Sequence, residues 1–327
     1  MKDTIGWGIV GLGNIAHSFA RDLKLVPDAR LVAAASRSLS KAEEFGSQFG
    51  SVYHFGSYQE LFDCPEVDVV YIAVPHTLHA QLTMMAIHKG KHVLCEKPMG
   101  INSAQVEKMV AAAKANKVFL MEALWSRFNP CLRKVKQLVD DGAIGALGYL
   151  QADFAFYALD RSEEGRILNP ALAGGSLLDI GIYPIFLAYL MLGNPEKIKA
   201  VSRFHKTGAE IQTSMIFEYP RAHAMLYSGF TCRSEMKAEI SGSHGSIYLH
   251  PRWHETQGYS IEKEGNIQQV DVPKTGKGYA HEIDEVHACL RAGNIESELW
   301  SLNNSMDLIR IMDAIRRQTG IVFPGEG

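Results

Sequence analysis

Short apolar runs alternate with helical patterns along the first third of the chain. From Thr4 to about Glu122, β-branched runs are separated by segments with apolar residues at helical spacing, as at Ile15, Phe19 and Leu23. This alternation is typical of repeated βαβ units, in which helices cover a parallel sheet. The predicted strands of this sheet are IGWGIV, RLVAAAS, VYH, DVVYIAV, HVLC and VFLME.

After Glu122 the pattern changes to period-two runs with few helices. CLRKVKQLVDDG predicts one helix, and the apolar residues around Tyr183 predict a second. Alternating runs such as IKAVSRFH, QTSMIFEY and HAMLYSGFT predict a large, mostly antiparallel sheet. Two further helices are predicted near the end, and the last is a candidate to pack back onto the first domain. The predicted class is α/β, with a doubly wound Rossmann domain at 1–123 and an α+β domain at 124–327.

Composition narrows the class of protein. The chain has 327 residues, of which 46% are hydrophobic and 21% are charged, as in a soluble globular protein with two domains. A net charge of -3, without long runs of like charge, argues against nucleic-acid binding and favours a small-molecule partner. The longest apolar run is shorter than the ~20 residues that cross a bilayer. No signal-peptide pattern or CxxC pair is visible, so we expect a cytoplasmic protein with buried thiols.

The stretch VGLGNIA gives the pattern GxGxxA between a predicted strand and a predicted helix. Gly11 allows a tight turn, and Gly13 allows the backbone to approach a pyrophosphate. Asn14 and Ile15 begin the helix, whose N-terminus would face the phosphates, while the small Ala16 lets helix and strand pack closely. We therefore predict dinucleotide binding, with a plain tight turn as the alternative.

The end of the second predicted strand indicates which dinucleotide is bound. In AASRSLSKAEEF, Ser36 and Arg37 stand where an NAD-binding chain usually has Asp or Glu, and Lys41 follows one helical turn later. A guanidinium binds a 2'-phosphate bidentately, whereas a carboxylate repels it. We predict NADP(H) as the preferred cofactor and NAD(H) as the second choice. The alternative is that Arg37 and Lys41 are simply solvated charges.

AVPHTLHAQ follows the fourth predicted strand, so its polar residues lie outside the carboxyl end of the sheet. Pro75, His76 and His79 are therefore candidate contacts of the cofactor or substrate. The alternative for each histidine is a purely structural role. Neither has carboxylate or cysteine partners at zinc-like spacing, so no metal site is predicted.

CEKP follows the fifth predicted strand and provides a catalytic candidate. Lys97 beside a nicotinamide would hydrogen-bond a substrate oxygen and stabilise developing alkoxide charge. Glu96 and Lys97 are also candidate cofactor contacts, although Glu96 has no assigned role. Pro98 favours extended backbone at Lys97, and the sequence leaves open whether their peptide bond is cis or trans. The alternative is a surface Glu-Lys pair.

GGSLLDIGIYPI in the predicted second domain provides partners for Lys97. Asp179 and Tyr183 fall at i and i+4 and so share one side of the predicted helix. Tyr183 is a candidate proton donor, since a neighbouring ammonium favours ionisation of a phenol, and Asp179 would hold position or relay the proton. The alternative is that Tyr183 is a core residue with a satisfied hydroxyl.

Aromatic residues predict the walls of a substrate pocket. MEALWSRFNP bridges the predicted domains and carries Trp125 and Arg127, and ADFAFY carries Phe154 and Phe156. With Tyr183, these residues would form an aromatic-walled pocket with polar anchors. The alternative is that the aromatic side chains belong to the core.

Three ordered motifs, VGLGNIA, EKP and GGSLLDIGIY, resemble the glucose-fructose oxidoreductase and inositol dehydrogenase (Gfo/Idh/MocA) family over essentially the whole chain, including the closing GIVFP. CEKPMG, MEALWSRFNP and LLDIGIY are most similar to its dimeric dihydrodiol dehydrogenases. The resemblance implies that the family's lysine is Lys97 and its helix aspartate Asp179. Tyr183 stands where many sugar-active relatives have histidine. The resemblance also implies a homodimer through the C-terminal sheet and oxidation of dihydrodiols or sugars with NADP.

The leading hypothesis is an NADP(H)-dependent oxidoreductase. It would transfer a hydride between nicotinamide and a secondary alcohol or ketone of a cyclic diol or sugar. One alternative is glycoside cleavage by transient NAD-linked oxidation on the same fold. Another is a non-enzymatic NADP-sensing regulator, against which the co-occurrence of Lys97, Asp179 and Tyr183 argues. The physiological substrate and the direction of reaction stay open.

Overall fold

The computed structural model describes residues 4–323 and divides them into two compact units. The first unit contains residues 4–128 and 275–306, and the second contains residues 129–274 and 307–323. Pro324 of the closing GIVFP motif lies outside the described residues. Each unit has its own sheet and its own buried core.

The first unit is built on a parallel sheet. Within the described residues its strands follow the order β3-β2-β1-β4-β5-β6, which confirms the predicted Rossmann-type domain. The order reverses at β1 and β4, where ligands bind in open α/β sheets. The central β1 is buried along its whole length, because helices cover both faces. The strands are Ile5–Val10 (β1), Ala29–Ala35 (β2), Tyr53–Phe55 (β3), Val69–Ile72 (β4), His92–Glu96 (β5) and Leu120–Ala123 (β6).

Nine α-helices accompany the two sheets within residues 4–323. Asn102 caps the helix after β5 by accepting a hydrogen bond from the Gln105 backbone N–H. The helices are Asn14–Leu23 (α1), Leu39–Phe49 (α2), Tyr58–Asp63 (α3), His79–His88 (α4), Ser103–Asn116 (α5), Pro130–Asp140 (α6), Ile182–Leu192 (α7), Tyr279–Ala292 (α8) and Leu302–Thr319 (α9).

The division into units differs from the predicted boundary at residue 123. Helix α8 belongs to the first unit, because the Asp22 carboxylate of α1 accepts hydrogen bonds from the backbone N–H groups of Gly278 (2.8 Å) and Tyr279 (2.9 Å) at its start. The last helix, a candidate to pack back onto the first domain, is divided between the units: its residues up to Met306 belong to the first and the rest to the second.

The second unit is built on a mostly antiparallel sheet, as predicted. In the described part of the chain its strand order is β14-β13-β12-β11-β7-β10-β9-β8, and only β7 and β10 pair in parallel. Strand β14 was not predicted, because its residues are mostly polar and exposed on both faces of the sheet edge. The strands are Leu147–Ala155 (β7), Lys197–Phe204 (β8), Glu210–Glu218 (β9), His223–Gly229 (β10), Ala238–Gly242 (β11), Gly245–Leu249 (β12), Gly258–Lys263 (β13) and Asn266–Asp271 (β14).

The apolar helix around Tyr183 begins with an irregular turn. Leu177–Gly181 forms a π-helical turn, and the regular helix α7 starts only at Ile182. Asp179 lies in the wide turn and Tyr183 in the first turn of α7, so the predicted i,i+4 geometry of a regular helix does not hold here. Helix α7 is apolar and largely buried. Within residues 4–323, no helix has both the length and the apolar character needed to cross a membrane.

Candidate active site

The glycine turn after β1 has the geometry predicted for phosphate binding. Gly11 has φ +86°, and a Cβ there would lie 2.5 Å from the Ala73 carbonyl oxygen, so only glycine fits. A Cβ at Gly13 would meet no atom within 4 Å. Helix α1, which begins with Asn14 and Ile15, has no side-chain cap and no acidic residue in its first turn. Its first N–H groups therefore fit the phosphates of a dinucleotide.

The end of β2 presents cations to solvent. Ser36 and Arg37 follow the strand directly, and Lys41 lies in the first turn of α2. Arg37 and Lys41 are both exposed. Among residues 4–323, no carboxylate forms an ion pair with either side chain. Contact of this strand end with an anionic group on a ribose stays a prediction.

Two buried carboxylates hold the turn that carries Lys97. The Glu96 carboxylate accepts hydrogen bonds from the Lys97 backbone N–H (3.2 Å) and from the Tyr71 hydroxyl. The Glu122 carboxylate, on the neighbouring strand, accepts a hydrogen bond from the Met99 backbone N–H (2.8 Å). The backbone on both sides of this half-buried lysine is therefore fixed to the sheet. The sequence left Glu96 without an assigned role. In the structure its carboxylate holds the backbone N–H of Lys97.

Glu122 extends this network to residues far along the chain. It accepts hydrogen bonds from the Ser305 hydroxyl (2.7 Å) and the Trp300 indole N–H (3.3 Å). Burial raises the pKa of Glu122, and these hydrogen bonds and the Lys97 ammonium oppose that rise. No sequence motif marked Glu122. In the sequence, Glu122 is distinguished only as a carboxylate at the end of an apolar predicted strand.

His79 joins the ends of two strands. The Lys97-Pro98 peptide bond is cis, which settles a point the sequence left open. The buried His79 ring places Nδ1 2.8 Å from the Pro98 carbonyl oxygen and Nε2 2.9 Å from the Val74 carbonyl oxygen. Burial lowers the pKa of His79 and so favours its neutral form.

The short helical turn that precedes His79 begins after Pro75 and carries His76. The His76 ring contacts the His79 ring edge-on at a centroid distance of 5.6 Å. Despite this pair, no group of three metal-ligating side chains is arranged for an ion in the part of the chain that the structure describes.

A buried aromatic and acidic cluster lies behind the Lys97 turn. Tyr71 stacks on Phe19 at a ring distance of 3.7 Å, and burial raises its pKa well above the usual range. Its hydroxyl therefore stays protonated and donates to Glu96. Burial, together with the charges of Glu96 and Asp22, also raises the pKa of Glu282 well above its usual value. No sequence motif marked Tyr71 or Glu282.

Trp125 and Arg127 lie on a short helical turn after β6. The Trp125 ring stacks on Tyr279 with centroids 4.8 Å apart, and the Arg127 Nε donates to the Leu299 carbonyl oxygen at 2.7 Å. Both predicted pocket residues therefore contact residues 275–306 of their own unit. These contacts fix the orientation of the indole and the guanidinium.

The second unit brings three rings together around Tyr183. The Tyr183 ring lies 5.5 Å from Phe154 and 5.4 Å from His254, and Phe154 stacks on His254 at 4.3 Å. All three side chains are buried. Phe156 contacts Phe154 at 6.4 Å. Phe154, one of the predicted pocket residues, therefore contacts Tyr183, and His254 joins them without any motif in RWHE to mark it.

Asp179 forms an ion pair that the sequence analysis missed. Its carboxylate lies 3.0 Å from the Arg166 guanidinium, which comes from the loop between β7 and the π-helical turn. The aspartate is mostly buried, while the arginine is about half exposed. The ion pair with Arg166 therefore holds the Asp179 carboxylate in place next to the start of α7.

Glu210 holds the start of the segment that carries Asp179. Its buried carboxylate accepts hydrogen bonds from the Ser176 hydroxyl, the Leu177 backbone N–H and the Thr213 hydroxyl, each at 2.7 Å. Burial raises the pKa of Glu210, against the effect of these bonds. The segment is therefore anchored to β9 by a carboxylate that no sequence motif identified.

A Rossmann-type sheet whose first strand ends in a turn that only glycine fits defines a class of dinucleotide-binding folds. Residues 5–124 match the model of an oxidoreductase family with an NAD-binding Rossmann fold. Residues 132–248 match the model of the GFO/IDH/MocA C-terminal domain. The chain therefore belongs to the GFO/IDH/MocA oxidoreductase family, which confirms the resemblance found in the motifs.

Relatives match the chain over almost its whole length. It is 37% identical to trans-1,2-dihydrobenzene-1,2-diol dehydrogenase from Mus musculus, over 97% of this chain and 98% of the relative. It is 36% identical to D-xylose 1-dehydrogenase (NADP(+)) from Hypocrea jecorina, over 98% and 93% of the two chains. These relatives are named as dehydrogenases, in agreement with the predicted enzyme class.

Solved structures agree with the fold. The aldose-aldose oxidoreductase from Caulobacter crescentus, complexed with glycerol, has a TM-score of 0.89 and 28% identity over 97% of this chain and 98% of its own. The 3-ketoreductase KijD10 from Actinomadura kijaniata, in complex with NADP and TDP-benzene, has a TM-score of 0.87 and 27% identity over the same shares. Both are similar to this chain in both units.

Proposed function

We propose that the protein is an NADP(H)-dependent oxidoreductase that acts on a secondary alcohol or ketone of a cyclic diol or sugar. The observation that carries this proposal is the fixed turn at Lys97, clamped by Glu96 and Glu122 at the carboxyl end of β5. The carboxyl ends of parallel strands meet at one edge of a sheet, so this turn shares its edge with the glycine turn after β1. A cation is thereby presented at the edge where a dinucleotide binds.

The choice of NADP(H) rests on the end of β2. Arg37 and Lys41 are exposed cations that would bind a 2'-phosphate, and Ser36 would donate a hydroxyl hydrogen bond to it. The D-xylose dehydrogenase relative is named for NADP(+), and KijD10 was solved with NADP. The glycine turn would hold the pyrophosphate at the start of α1.

Each proposed catalytic residue has a separate task. The nicotinamide ring donates or accepts the hydride when the cofactor is bound. The Lys97 ammonium would donate a hydrogen bond to the substrate oxygen and stabilise alkoxide charge. Tyr183 would exchange the proton of that oxygen. Asp179, paired with Arg166 at 3.0 Å, would position or relay the proton.

The substrate class is supported by the names of the relatives and by aromatic side chains. A dihydrodiol, D-xylose and aldoses, named for three of them, are all molecules with several hydroxyl groups. Phe154 and His254 pack around the Tyr183 ring and are candidate walls of the substrate site, and Trp125 and Arg127 are further candidate contacts. The individual substrate differs among relatives of one fold.

The second unit also offers a surface for a second copy of the chain. Val201, Ile216 and Met225 lie on the outer face of β8, β9 and β10 and are 67%, 42% and 50% exposed. Met225 lies directly opposite Ile216, and all three line one cavity of about 420 Å³. An apolar patch of this kind is typical of protein interfaces. A homodimer through this sheet accounts for its exposure.

The function is tested by following NADP reduction and NADPH oxidation at 340 nm. The panel contains cyclic diols, aldoses and keto-sugars, each assayed with NADP(H) and with NAD(H). We expect turnover with NADP(H) on at least one class, and a loss of at least about 100-fold in kcat for Lys97→Met, because one transition-state hydrogen bond of this kind contributes 10²–10³ in rate. Lys89→Met, an exposed lysine paired with Asp63, is the matched control and keeps wild-type activity.

NADPH binding, measured by fluorescence titration, separates loss of chemistry from loss of fold. Lys97→Met should bind NADPH as the wild type does. Near-normal turnover by this variant would rule out the proposed role of Lys97. Turnover with NAD(H) alone would rule out the assignment of Arg37 to a 2'-phosphate.

A further inference from the structure

A second cavity of the second unit carries two arginines that no part of the proposed mechanism uses. It has a volume of about 410 Å³ and lies beyond the carboxyl end of β7. Arg161 and Arg233 line it, together with the rings of Phe156 and Tyr157 and with Ser234. Its lining therefore combines two positive charges, a hydroxyl residue and aromatic faces.

The backbone and one aromatic ring fix the position of Arg161. The Phe156 N–H donates to the Gly229 carbonyl oxygen (3.1 Å) and the Ala158 N–H donates to that of Phe230 (3.0 Å), which extends the pairing of β7 and β10 past the end of the strands. The Arg161 guanidinium lies 5.4 Å from the centroid of the Phe156 ring. This cation–π contact orients the guanidinium without neutralising its charge.

The two arginines differ from the basic residues around them. Lys206 pairs with Glu163 and Lys237 pairs with Glu235, although these glutamates lie within two residues of Arg161 and Arg233 in sequence. Within residues 4–323, no carboxylate forms an ion pair with Arg161 or Arg233. Glu163 and Glu235 are therefore engaged elsewhere, and the residues that line the cavity include the two arginines and no carboxylate.

We propose that this cavity binds an anionic group of the substrate, either a phosphate ester or a carboxylate on a sugar. This inference rests on the proposed function and adds a specificity-determining site to it. Guanidinium groups bind both anions through paired N–H···O hydrogen bonds, and two of them around one cavity suit a group with two or three acceptor oxygens. Ser234 adds a hydroxyl donor, and the aromatic rings pack against the sugar.

The cavity adjoins the aromatic cluster around Tyr183. Phe156 lines the cavity and contacts Phe154 at 6.4 Å, and Phe154 contacts the ring of Tyr183 at 5.5 Å. Two ring-to-ring contacts thus lead from the arginines to the proposed acid–base residue. The anionic group would therefore occupy the end of the substrate away from the reacting carbon.

The test compares anionic and neutral sugars as substrates. The pairs are glucose 6-phosphate and glucose for a phosphate, and glucuronate and glucose for a carboxylate. We expect the wild type to favour at least one anionic sugar by about tenfold or more in kcat/KM, mainly through KM, because each charge-assisted hydrogen bond contributes about that factor. The pair of sugars with the larger preference shows whether the cavity binds a phosphate or a carboxylate.

The variants are Arg161→Gln, Arg233→Gln and the double variant. The double variant should lose the preference for the anionic sugar and keep kcat/KM for glucose within about twofold, since the reacting carbon is untouched. Arg161→Lys should restore part of the preference. Arg221→Gln is the matched control. Arg221 is exposed in the turn before β10, at the opposite end of the β7–β10 pair from the cavity, so this variant should keep the preference for the anionic sugar.

Binding is measured independently of turnover, by calorimetry with glucose 6-phosphate or glucuronate on the NADP-saturated protein. Saturation with NADP excludes binding of the probe at the proposed 2'-phosphate site. Equal kcat/KM for charged and neutral sugars, or unchanged binding by the double variant, would overturn the inference and leave the oxidoreductase in place. Absence of turnover with every sugar and diol, together with arginine-dependent binding, would instead overturn the function and keep an anion site.

Discussion

Two cationic side chains at strand ends of the first unit have opposite surroundings. Lys97 is half-buried, and Glu96 and Glu122 fix the backbone on either side of it. Arg37 is exposed and, among the described residues, has no carboxylate in ion-pair contact. A partly buried ammonium requires nearby negative groups, whereas an exposed guanidinium is stable in water until a ligand binds. The difference fits a positioned catalytic group in one case and a ligand-binding group in the other.

Arg37→Ser tests the cofactor preference at the residue level. We expect KM for NADP to rise about tenfold or more while KM for NAD stays within about twofold, because only NADP carries the 2'-phosphate. The measurement is initial-rate kinetics at 340 nm with both cofactors at a saturating substrate concentration.

Arg30→Ser is the control for this substitution, since Arg30 is an exposed arginine near the amino end of the same strand. It should leave both values unchanged. Equal effects of Arg37→Ser on NADP and NAD would show that the residue does not recognise the 2'-phosphate.

At the scale of elements, a buried carboxylate anchors each segment that carries a proposed catalytic residue. Glu122 of β6 holds the turn after β5, and Glu210 of β9 holds the start of the π-helical turn before α7. Each accepts three hydrogen bonds, and one of the three comes from a backbone N–H of the anchored segment. Irregular backbone at these two places is thus stabilised by side chains of the neighbouring strands.

Glu122→Gln tests the anchor of the Lys97 turn. An amide cannot accept at both ends, so at least one of the donors Met99, Trp300 and Ser305 loses its acceptor. We expect the free energy of unfolding to fall by about 1–3 kcal/mol, measured by urea denaturation. At a temperature where the variant remains folded, kcat should fall more than KM changes, because the lysine is misplaced in the transition state.

Glu107→Gln, at an exposed position of α5, is the matched control and should change the unfolding free energy by less than about 0.5 kcal/mol. Loss of stability in Glu122→Gln with unchanged kcat would show that Glu122 supports the fold without positioning Lys97.

At the scale of the whole molecule, one face of the second unit's sheet exposes more apolar residues than a sheet face in contact with water usually does. Its edge strand β8 and the two strands beside it alternate buried and exposed residues, yet several exposed positions are apolar. An antiparallel sheet that faced water would carry polar residues at these positions. Coverage by a second copy of the chain, as proposed above, would remove this apolar area from water.

Replacing both Ile216 and Met225 with lysine tests the proposed dimer. The two residues lie directly opposite each other on adjacent strands. In a dimer, the two lysines of each copy would therefore bring four like charges into one interface. We expect the wild type to be a dimer and the variant a monomer by light scattering at the same concentration.

Val52→Lys, at an exposed apolar residue of the first unit, is the control and keeps the dimer. Thermal unfolding of each variant confirms that it is folded. A wild-type protein that is monomeric, or a double variant that remains dimeric, would contradict the assignment of this face.

The sequence by itself determined the class of each sheet, most of the strands and the motifs of the family. Hydrophobic periodicity is a local property, so βαβ units and alternating strands were visible without knowledge of the fold. The glycine turn at Gly11 was equally visible, because its conformation excludes other residues wherever it occurs. Lys97 and Tyr183 were found through motifs in a given order, and their catalytic roles stay predictions.

Only the tertiary structure decided which distant residues support these motifs. Glu122 meets Trp300 and Ser305, and Arg166 meets Asp179, through contacts that no local pattern encodes. The grouping of α8 with the first unit likewise depends on Asp22, which caps a helix more than 250 residues away. Buried polar groups must find partners somewhere in the folded chain, but sequence spacing does not say where. The π-helical turn before α7 escaped prediction for the same reason, since Glu210 on another strand stabilises its start.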